Sequence, residues 1–222
     1  MRRPIEQLGL RPRTWGGRRD GAGRKPAQGR RSVPHRPRVP HDRHCPAHVT
    51  LRASTAVPSL RNGRLLIAIR NALAAASTSR FRVLHFSVQA DHLHLLVEAD
   101  TPTGFERGVR GLAIRVAKAV NRVLVRHGRV WSDTYHARLL RTPREVRNAI
   151  VYVLNNFRKH LRGTHGLDPC SSARWFDGWR NVTRPVIDAS PLARASTWLA
   201  RVGWRRRGLI DVNEGPRPMR RA

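Results

Sequence analysis

The segment from Asp91 to Ala99 alternates polar and apolar residues, which is the pattern of a half-buried β-strand. In such a strand His92 and His94 share one face. The opposite face is apolar and is made by Leu93, Leu95 and Val97. Two imidazoles at positions i and i+2 can bind one divalent metal ion. The strand therefore predicts a sheet with a candidate metal site on its polar face. The alternative interpretation is one solvated and one packed histidine.

The hydrophobic pattern on both sides of this strand predicts a small α+β domain. Alternation predicts strands over 48–52, 82–88, 92–98 and 136–140, and helical spacing predicts helices over about 60–76, 104–126 and 143–162. Thr142, Pro143 and Glu145 form the sequence of a capping box for the last helix, and Gly163 would end it. This order indicates a ferredoxin-like (RRM-like) four-stranded antiparallel sheet with helices on one face, followed by the further helix and a C-terminal extension.

The charge of the chain predicts the class of partner. It has 44 Lys and Arg against 14 Asp and Glu, a formal net charge of +30, and almost all of the basic residues are arginine. Arginine binds phosphate with two parallel hydrogen bonds and stacks on bases, so we expect a nucleic acid partner. No run of 18 apolar residues occurs, and Cys45 and Cys170 have no CxxC partner. We therefore expect a cytoplasmic, nucleoid-associated protein.

Composition divides the chain into three parts. Residues 1–46 are rich in Arg, Gly and Pro and predict a disordered basic arm, whereas residues 47–163 carry the patterned elements. Residues 164–222 form a Trp- and Arg-rich extension, in which the segment Pro191–Val202 predicts a short amphipathic helix. We expect most of the tryptophans in this extension to pack against the domain, while stacking on bases is the alternative.

The helix predicted from Pro143 carries a tyrosine outside its apolar stripe. That stripe consists of Val146, Ile150, Val153, Leu154, Phe157 and Leu161, and Tyr152 lies on the opposite, polar side with Asn156 one turn further on. Tyrosine is a poor nucleophile near neutral pH, because the phenol pKa is about 10. A divalent ion bound to a phosphate would withdraw charge from it and so assist attack by the tyrosine. The amide oxygen of Asn156 could join the two histidines as a ligand of that ion. The alternative is an ordinary surface tyrosine.

Three stretches together resemble a known family. Phe86–Glu98, Tyr135–Arg138 and Thr142–Asn156 look like the motifs of the HUH tyrosine transposases, of the REP-associated kind related to single-strand insertion-sequence transposases. The resemblance spans roughly His48 to His160, and parts of the segment from Thr197 to Ile210 resemble the C-terminal extension of one subgroup.

The resemblance implies a specific chemistry. His92 and His94 would bind Mg²⁺ or Mn²⁺, and Asn156 would complete the metal site. Tyr152 would attack hairpin-associated single-stranded DNA and leave a 5′-phosphotyrosine and a free 3′-OH, which makes the chain a transposase. A homodimer is compatible with this family. Two positions depart from the expected pattern, since Asp91 stands where many relatives have Asn, and Thr134 stands where arginine is expected. The second departure predicts a weaker DNA contact.

Several basic residues are candidates for DNA binding, and other functions stay open. The candidates are Arg107, Arg115, Lys118 and Arg122 on the outer stripe of the second helix, with Arg138, Arg147 and Lys159. Tyr135 is the other tyrosine and hence the rival nucleophile, but it has no Asn one turn along. A domesticated, non-catalytic DNA- or RNA-binding protein on the same fold is the main alternative. A plasmid replication initiator or relaxase is another, although such proteins usually carry further domains.

Overall fold

A computed structural model describes residues 40–160, 166–182 and 190–216. The strands are β1 (Ala47–Arg52), β2 (Phe81–Val88), β3 (His92–Ala99) and β4 (His136–Leu139). The helices are α1 (Gly63–Ala76), α2 (Pro102–Val123), α3 (Pro143–Asn155), α4 (Phe157–His160) and α5 (Trp198–Arg201). Two 3-10 helices, Ser172–Trp175 and Gly203–Arg207, lie in the C-terminal part.

The four strands form one antiparallel sheet in the order β2-β3-β1-β4, which confirms the predicted ferredoxin-like α+β fold. The histidine strand β3 is central, because β1 and β2 pair with its two sides. In this register Thr50 lies opposite His94, and Arg52 lies opposite His92. Opposed residues of an antiparallel pair point to the same face, so β1 contributes side chains to the face that carries the histidines.

Helices cover both faces of the sheet. Helices α1 and α2 pack on the first face, where Ile69 and Val109 are completely buried against Val49 and Leu95. The second face carries His92 and His94, and there α3 packs its Ile150 and Leu154 on apolar side chains of β2 and β3. We predicted helices on one face of the sheet and a further helix that carries Tyr152. Its place on the second face brings Tyr152 to the histidines.

The ends of the helices follow from their capping residues. The predicted capping box of α3 is confirmed, since Thr142 accepts from the Glu145 backbone N–H and the Glu145 carboxylate accepts from the Thr142 backbone N–H. Helix α2 begins at Pro102, two residues before the expected start, because Thr101 is its N-cap. The expected single helix from 143 to 162 is wrong: α3 ends at Asn155, with Asn156 as C-cap, and α4 follows. The predicted stop at Gly163 lies outside the described residues.

The helix predicted over 191–202 is shorter than expected, and α5 covers only Trp198–Arg201. The backbone N–H groups of Ser196 and Thr197 bind a carboxylate of the sheet instead, which stops the helix from extending backwards. Trp179 and Trp204 are buried, which confirms packing as their role, whereas Trp198 is 48% exposed.

The predicted basic arm ends earlier than residue 46. His41 is buried, donates from its Nε2 to the Ala99 carbonyl at 3.0 Å and stacks on Phe105, and Cys45 is buried as well. Residues 40–46 therefore pack on the domain, and residues 1–39 lie outside the described part. Within the described residues, no helix has the length and apolar character needed to cross a membrane.

Candidate active site

The two histidines of β3 lie side by side on the second face of the sheet. Their ring centroids are 4.5 Å apart, and the rings are nearly perpendicular. His92 donates from its Nδ1 to Asp91 Oδ1 at 2.6 Å, and this hydrogen bond is the main reason why the pKa of Asp91 is lowered. A carboxylate on Nδ1 orients an imidazole so that Nε2 is the nitrogen presented to a metal ion. The departure at Asp91 is thus compatible with metal binding.

His94 is held by two side chains of the neighbouring strand. Its Nδ1 lies 3.1 Å from Thr50 Oγ1 and 3.2 Å from His48 Nε2. His48 is buried, and burial lowers its pKa to about 4, with the charge of Arg138 as a smaller cause. His48 is therefore neutral at pH 7, and its Nε2 lies within hydrogen-bonding distance of His94 Nδ1.

Sequence analysis did not connect His48 and Thr50 with the histidine pair, although a signal was present. In the strand beginning at His48, residues 48, 50 and 52 share one face and alternate with apolar neighbours. A histidine on the polar face of an adjacent strand was a candidate for contact with the histidine pair. The register that brings His48 to His94 is a tertiary property, and it was not predictable from β1 alone.

Tyr152 of α3 lies over these rings. Its ring centroid is 5.1 Å from that of His94 and 5.6 Å from that of His48, and both contacts are edge-on. The residue is partly buried, and this desolvation raises the pKa of its phenol. The phenol is therefore a weaker nucleophile here than in water unless a positive charge is added to the site. The structure brings Tyr152 and the histidine pair together on the second face of the sheet.

Asn156 is the most unusual polar residue near Tyr152. Its side chain is 1% exposed, and within the described residues neither its Oδ1 nor its Nδ2 has a hydrogen-bond partner. A buried amide without partners costs free energy on the order of 1–3 kcal/mol for each group, so such a residue calls for a ligand or a functional reason. An amide oxygen that coordinates a cation would satisfy half of this requirement.

The donor set fits Mg²⁺ or Mn²⁺ only if Asn156 takes part. Among the described residues, no group of three or more His, Cys, Asp and Glu side chains could hold a metal ion by itself. The two Nε2 atoms of the histidine pair and the Oδ1 of Asn156 would supply three N and O donors, which are ligand types that a divalent ion accepts.

Part of the polar side of α3 is covered by the C-terminal segment. Asn155 is 1% exposed, and its Nδ2 donates to the Glu214 carbonyl at 2.9 Å. Arg147 donates to both carboxylate oxygens of Glu214, at 2.6 and 2.8 Å, and to the carbonyls of Gly208 and Leu209. The C-terminal segment thus covers the helix that carries the tyrosine, and the guanidinium of Arg147 is engaged within the chain.

A buried carboxylate connects the same C-terminal part to the histidine strand. Glu98 is 0% exposed and lies on β3, four residues after His94. It accepts hydrogen bonds from Arg82 Nε, from the backbone N–H groups of Ser196 and Thr197, and from both of their hydroxyls. Sequence reasoning missed Glu98, because Ser196 and Thr197, which donate most of its hydrogen bonds, are almost a hundred residues away.

The other predicted site residues are spread over the molecule. Arg107, Arg115, Lys118 and Arg122 are exposed on α2, as predicted, but α2 lies on the first face, opposite Tyr152. Arg138 lies beside the site, opposite His48, and donates to Glu145 at 3.0 Å. The side chain of Lys159 is outside the described part. Tyr135 packs towards Phe105 on the first face, so it is separated from the histidine pair by the sheet.

Comparisons with known proteins give support at the level of the fold. No protein-family model matches the chain, and no curated protein matches it. One solved structure that does match is described as a REP-associated tyrosine transposase bound to a REP hairpin. The two chains share 17% identity and superpose with a TM-score of 0.50, covering 73% of this chain and 99% of the other. In fold, this chain is therefore similar to a REP-associated tyrosine transposase.

Proposed function

We propose that this chain is a metal-dependent transposase that cleaves and rejoins hairpin-associated single-stranded DNA. In this proposal Tyr152 is the nucleophile, and His92, His94 and Asn156 hold Mg²⁺ or Mn²⁺. The observation that carries the proposal is the position of Tyr152, whose ring lies 5.1 Å from that of His94, beside a buried Asn156 that has no hydrogen-bond partner in the described residues. The fold neighbour bound to a REP hairpin supports a hairpin substrate.

Each residue has a defined part in the reaction. The Oη of Tyr152 forms a bond to the scissile phosphorus, the bond from phosphorus to the 3′ oxygen breaks, and the phenol loses a proton while the 3′ oxygen gains one. The product is a 5′-phosphotyrosine with a free 3′-OH, and reversal with another 3′-OH rejoins the strand. A bound divalent ion would supply the positive charge that a phenol of raised pKa needs.

Nucleic acid binding has two proposed surfaces. Arg138 is the predicted arginine beside the site, and we propose that it contacts the phosphate backbone near the cleaved bond. The exposed stripe of α2, with Arg107, Arg115, Lys118 and Arg122, faces away from Tyr152 and would bind more distant DNA through phosphates. Arg147 is engaged with Glu214, which favours a structural role for it. The short distance between Tyr152 and His94 within one chain supports use of the tyrosine by its own chain.

The test is formation of a covalent protein–DNA adduct. The protein is incubated with end-labelled single-stranded DNA carrying a hairpin from its own locus, with Mn²⁺ or with chelator, and resolved on denaturing gels. We expect a denaturant-stable band that requires Mn²⁺ and disappears in Tyr152→Phe. Tyr135→Phe is the matched control, because it removes the same hydroxyl on the other face of the sheet, and it should retain the band.

Two results would contradict the proposal. Adduct formation that persists in Tyr152→Phe would move the nucleophile elsewhere. Tight DNA binding with no adduct on any of several hairpin substrates, in the presence of Mn²⁺, would favour the domesticated non-catalytic binder on the same fold. In that case the exposed basic stripe of α2 would account for the binding.

A further inference from the structure

We propose that His48 is a positioning residue for the metal site. Its Nε2 accepts a hydrogen bond from His94 Nδ1–H and so holds the His94 ring with Nε2 as the coordinating nitrogen. The inference rests on the proposed function, because it concerns the metal that Tyr152 would need. It adds a residue of β1 to a site otherwise built from β3 and α3.

The two rings are close enough for a hydrogen bond between their nitrogens, in addition to the packing of one ring on the other. His48 Nε2 and His94 Nδ1 are 3.2 Å apart, whereas the ring centroids are 5.1 Å apart and the planes are inclined by only 29°. The distance between the two nitrogens is much shorter than the distance between the ring centroids, and it lies within hydrogen-bonding range. The contact is thus directed from one ring nitrogen to the other.

The direction of this bond decides which tautomer of His94 exists. A neutral imidazole carries one hydrogen, and its other nitrogen is the one that binds a metal ion. If His94 donates from Nδ1, then Nε2 has the lone pair that coordination requires. Thr50 Oγ1, at 3.1 Å from the same Nδ1, can either donate or accept, so it does not select between the tautomers. In the proposed arrangement the hydrogen of His48 is on its Nδ1, so its Nε2 accepts from His94 Nδ1–H.

His48 is also held rigidly enough for this task. It is buried, it pairs with Leu96 and Arg138 in the sheet register, and its ring touches the edge of the Tyr152 ring. Partners of this kind, which contact a metal ligand and not the metal, typically change metal affinity by about 10- to 100-fold when they are removed.

The first test measures Mn²⁺ affinity by electron paramagnetic resonance on the full-length protein. His48→Leu removes the acceptor, and we expect an affinity about 10- to 100-fold weaker than in the wild type. His48→Gln restores an acceptor oxygen near the former Nε2, so it should recover most of the affinity. His85→Leu is the matched control, since it removes a partly buried histidine of β2 that contacts Ser172 and Phe176, and it should bind Mn²⁺ normally.

The second test needs no metal and no DNA. Nitrogen-15 NMR of the metal-free protein reports which ring nitrogen of His94 is protonated. We expect the Nδ1–H tautomer in the wild type and in His48→Gln, and a mixture in His48→Leu. In cleavage assays, excess Mn²⁺ should restore the rate of His48→Leu, whereas no Mn²⁺ concentration should restore Tyr152→Phe.

The outcomes separate this inference from the proposed function. Wild-type Mn²⁺ affinity together with an unchanged His94 tautomer in a folded His48→Leu protein would overturn the inference and leave His48 as a packing residue. If the wild type binds no Mn²⁺, or if His94→Ala leaves binding unchanged, the proposed metal site fails. The tautomer measurement then still decides whether His48 controls His94.

Discussion

Glu98 offers a direct measure of how strongly the C-terminal part is attached to the sheet. Replacing Glu98 by Gln keeps the shape of the side chain but removes the negative charge. The carboxylate accepts hydrogen bonds from Arg82, Ser196 and Thr197. The glutamine NH₂ group would then face these donors, and at least one of them would lose its acceptor. Removing one partner of a buried ion pair destabilises a protein by about 3–5 kcal/mol.

This free energy converts into a large shift in the unfolding temperature. A chain of 222 residues loses about 2–4 °C for each kcal/mol, so we expect Glu98→Gln to unfold about 10 °C below the wild type. Thermal unfolding followed by circular dichroism measures this shift. Glu106→Gln, an exposed change on α2, is the control and should stay within about 0.5 kcal/mol of the wild type. A Glu98→Gln protein that unfolds within 2 °C of its parent, a margin of about 1 kcal/mol, would refute the reasoning.

Two further predictions concern α2 and His85. Gly108→Ala should destabilise the protein by about 1–3 kcal/mol, because its Cβ would come within 2.2 Å of the Phe81 ring. Gly111→Ala meets nothing within 4 Å and should stabilise the protein by about 0.5–1 kcal/mol. Denaturant unfolding compares the two variants, and equal unfolding midpoints would contradict this packing. Burial lowers the pKa of His85 from 6.5 to about 4, so the folded state resists protonation, and the stability from neutral His85 is complete above pH 6.5 and is lost as the pH falls towards 4. Between pH 6.5 and pH 4 the free energy of unfolding of the wild type should therefore fall by up to about 3 kcal/mol more than that of His85→Leu. Unfolding experiments at several pH values measure this difference, and identical pH profiles for the two proteins would count against a neutral His85 in the folded state.

The sequence was a good guide where the physical cause is local. Alternation in β3 follows from the two-residue repeat of a strand, and the capping box at Thr142 follows from the backbone groups that a helix leaves unsatisfied at its start. The same local pattern put Tyr152 outside the apolar stripe of α3. The predicted fold is confirmed for this reason, since the order of such elements leaves few arrangements of a four-stranded antiparallel sheet.

Local patterns were a poor guide to the ends of elements in the last third of the chain. Helix α3 was expected to continue to residue 162, because the apolar spacing does continue through Phe157. The segment before α5 was expected to be helical, but its N–H groups bind Glu98. In the second place the outcome depended on a contact with a distant residue, which helical spacing does not contain.

The sequence by itself determined the antiparallel sheet, the shared face of His92 and His94, and the presence of Tyr152 and Asn156 one turn apart. Only the tertiary structure decided that α3 lies on the histidine face, that His48 reaches His94 across 46 residues of chain, and that the basic stripe of α2 faces the other way. The physical reason is that periodicity specifies which side of an element is buried. It does not specify the partner against which that side is buried, which depends on strand register and packing between elements.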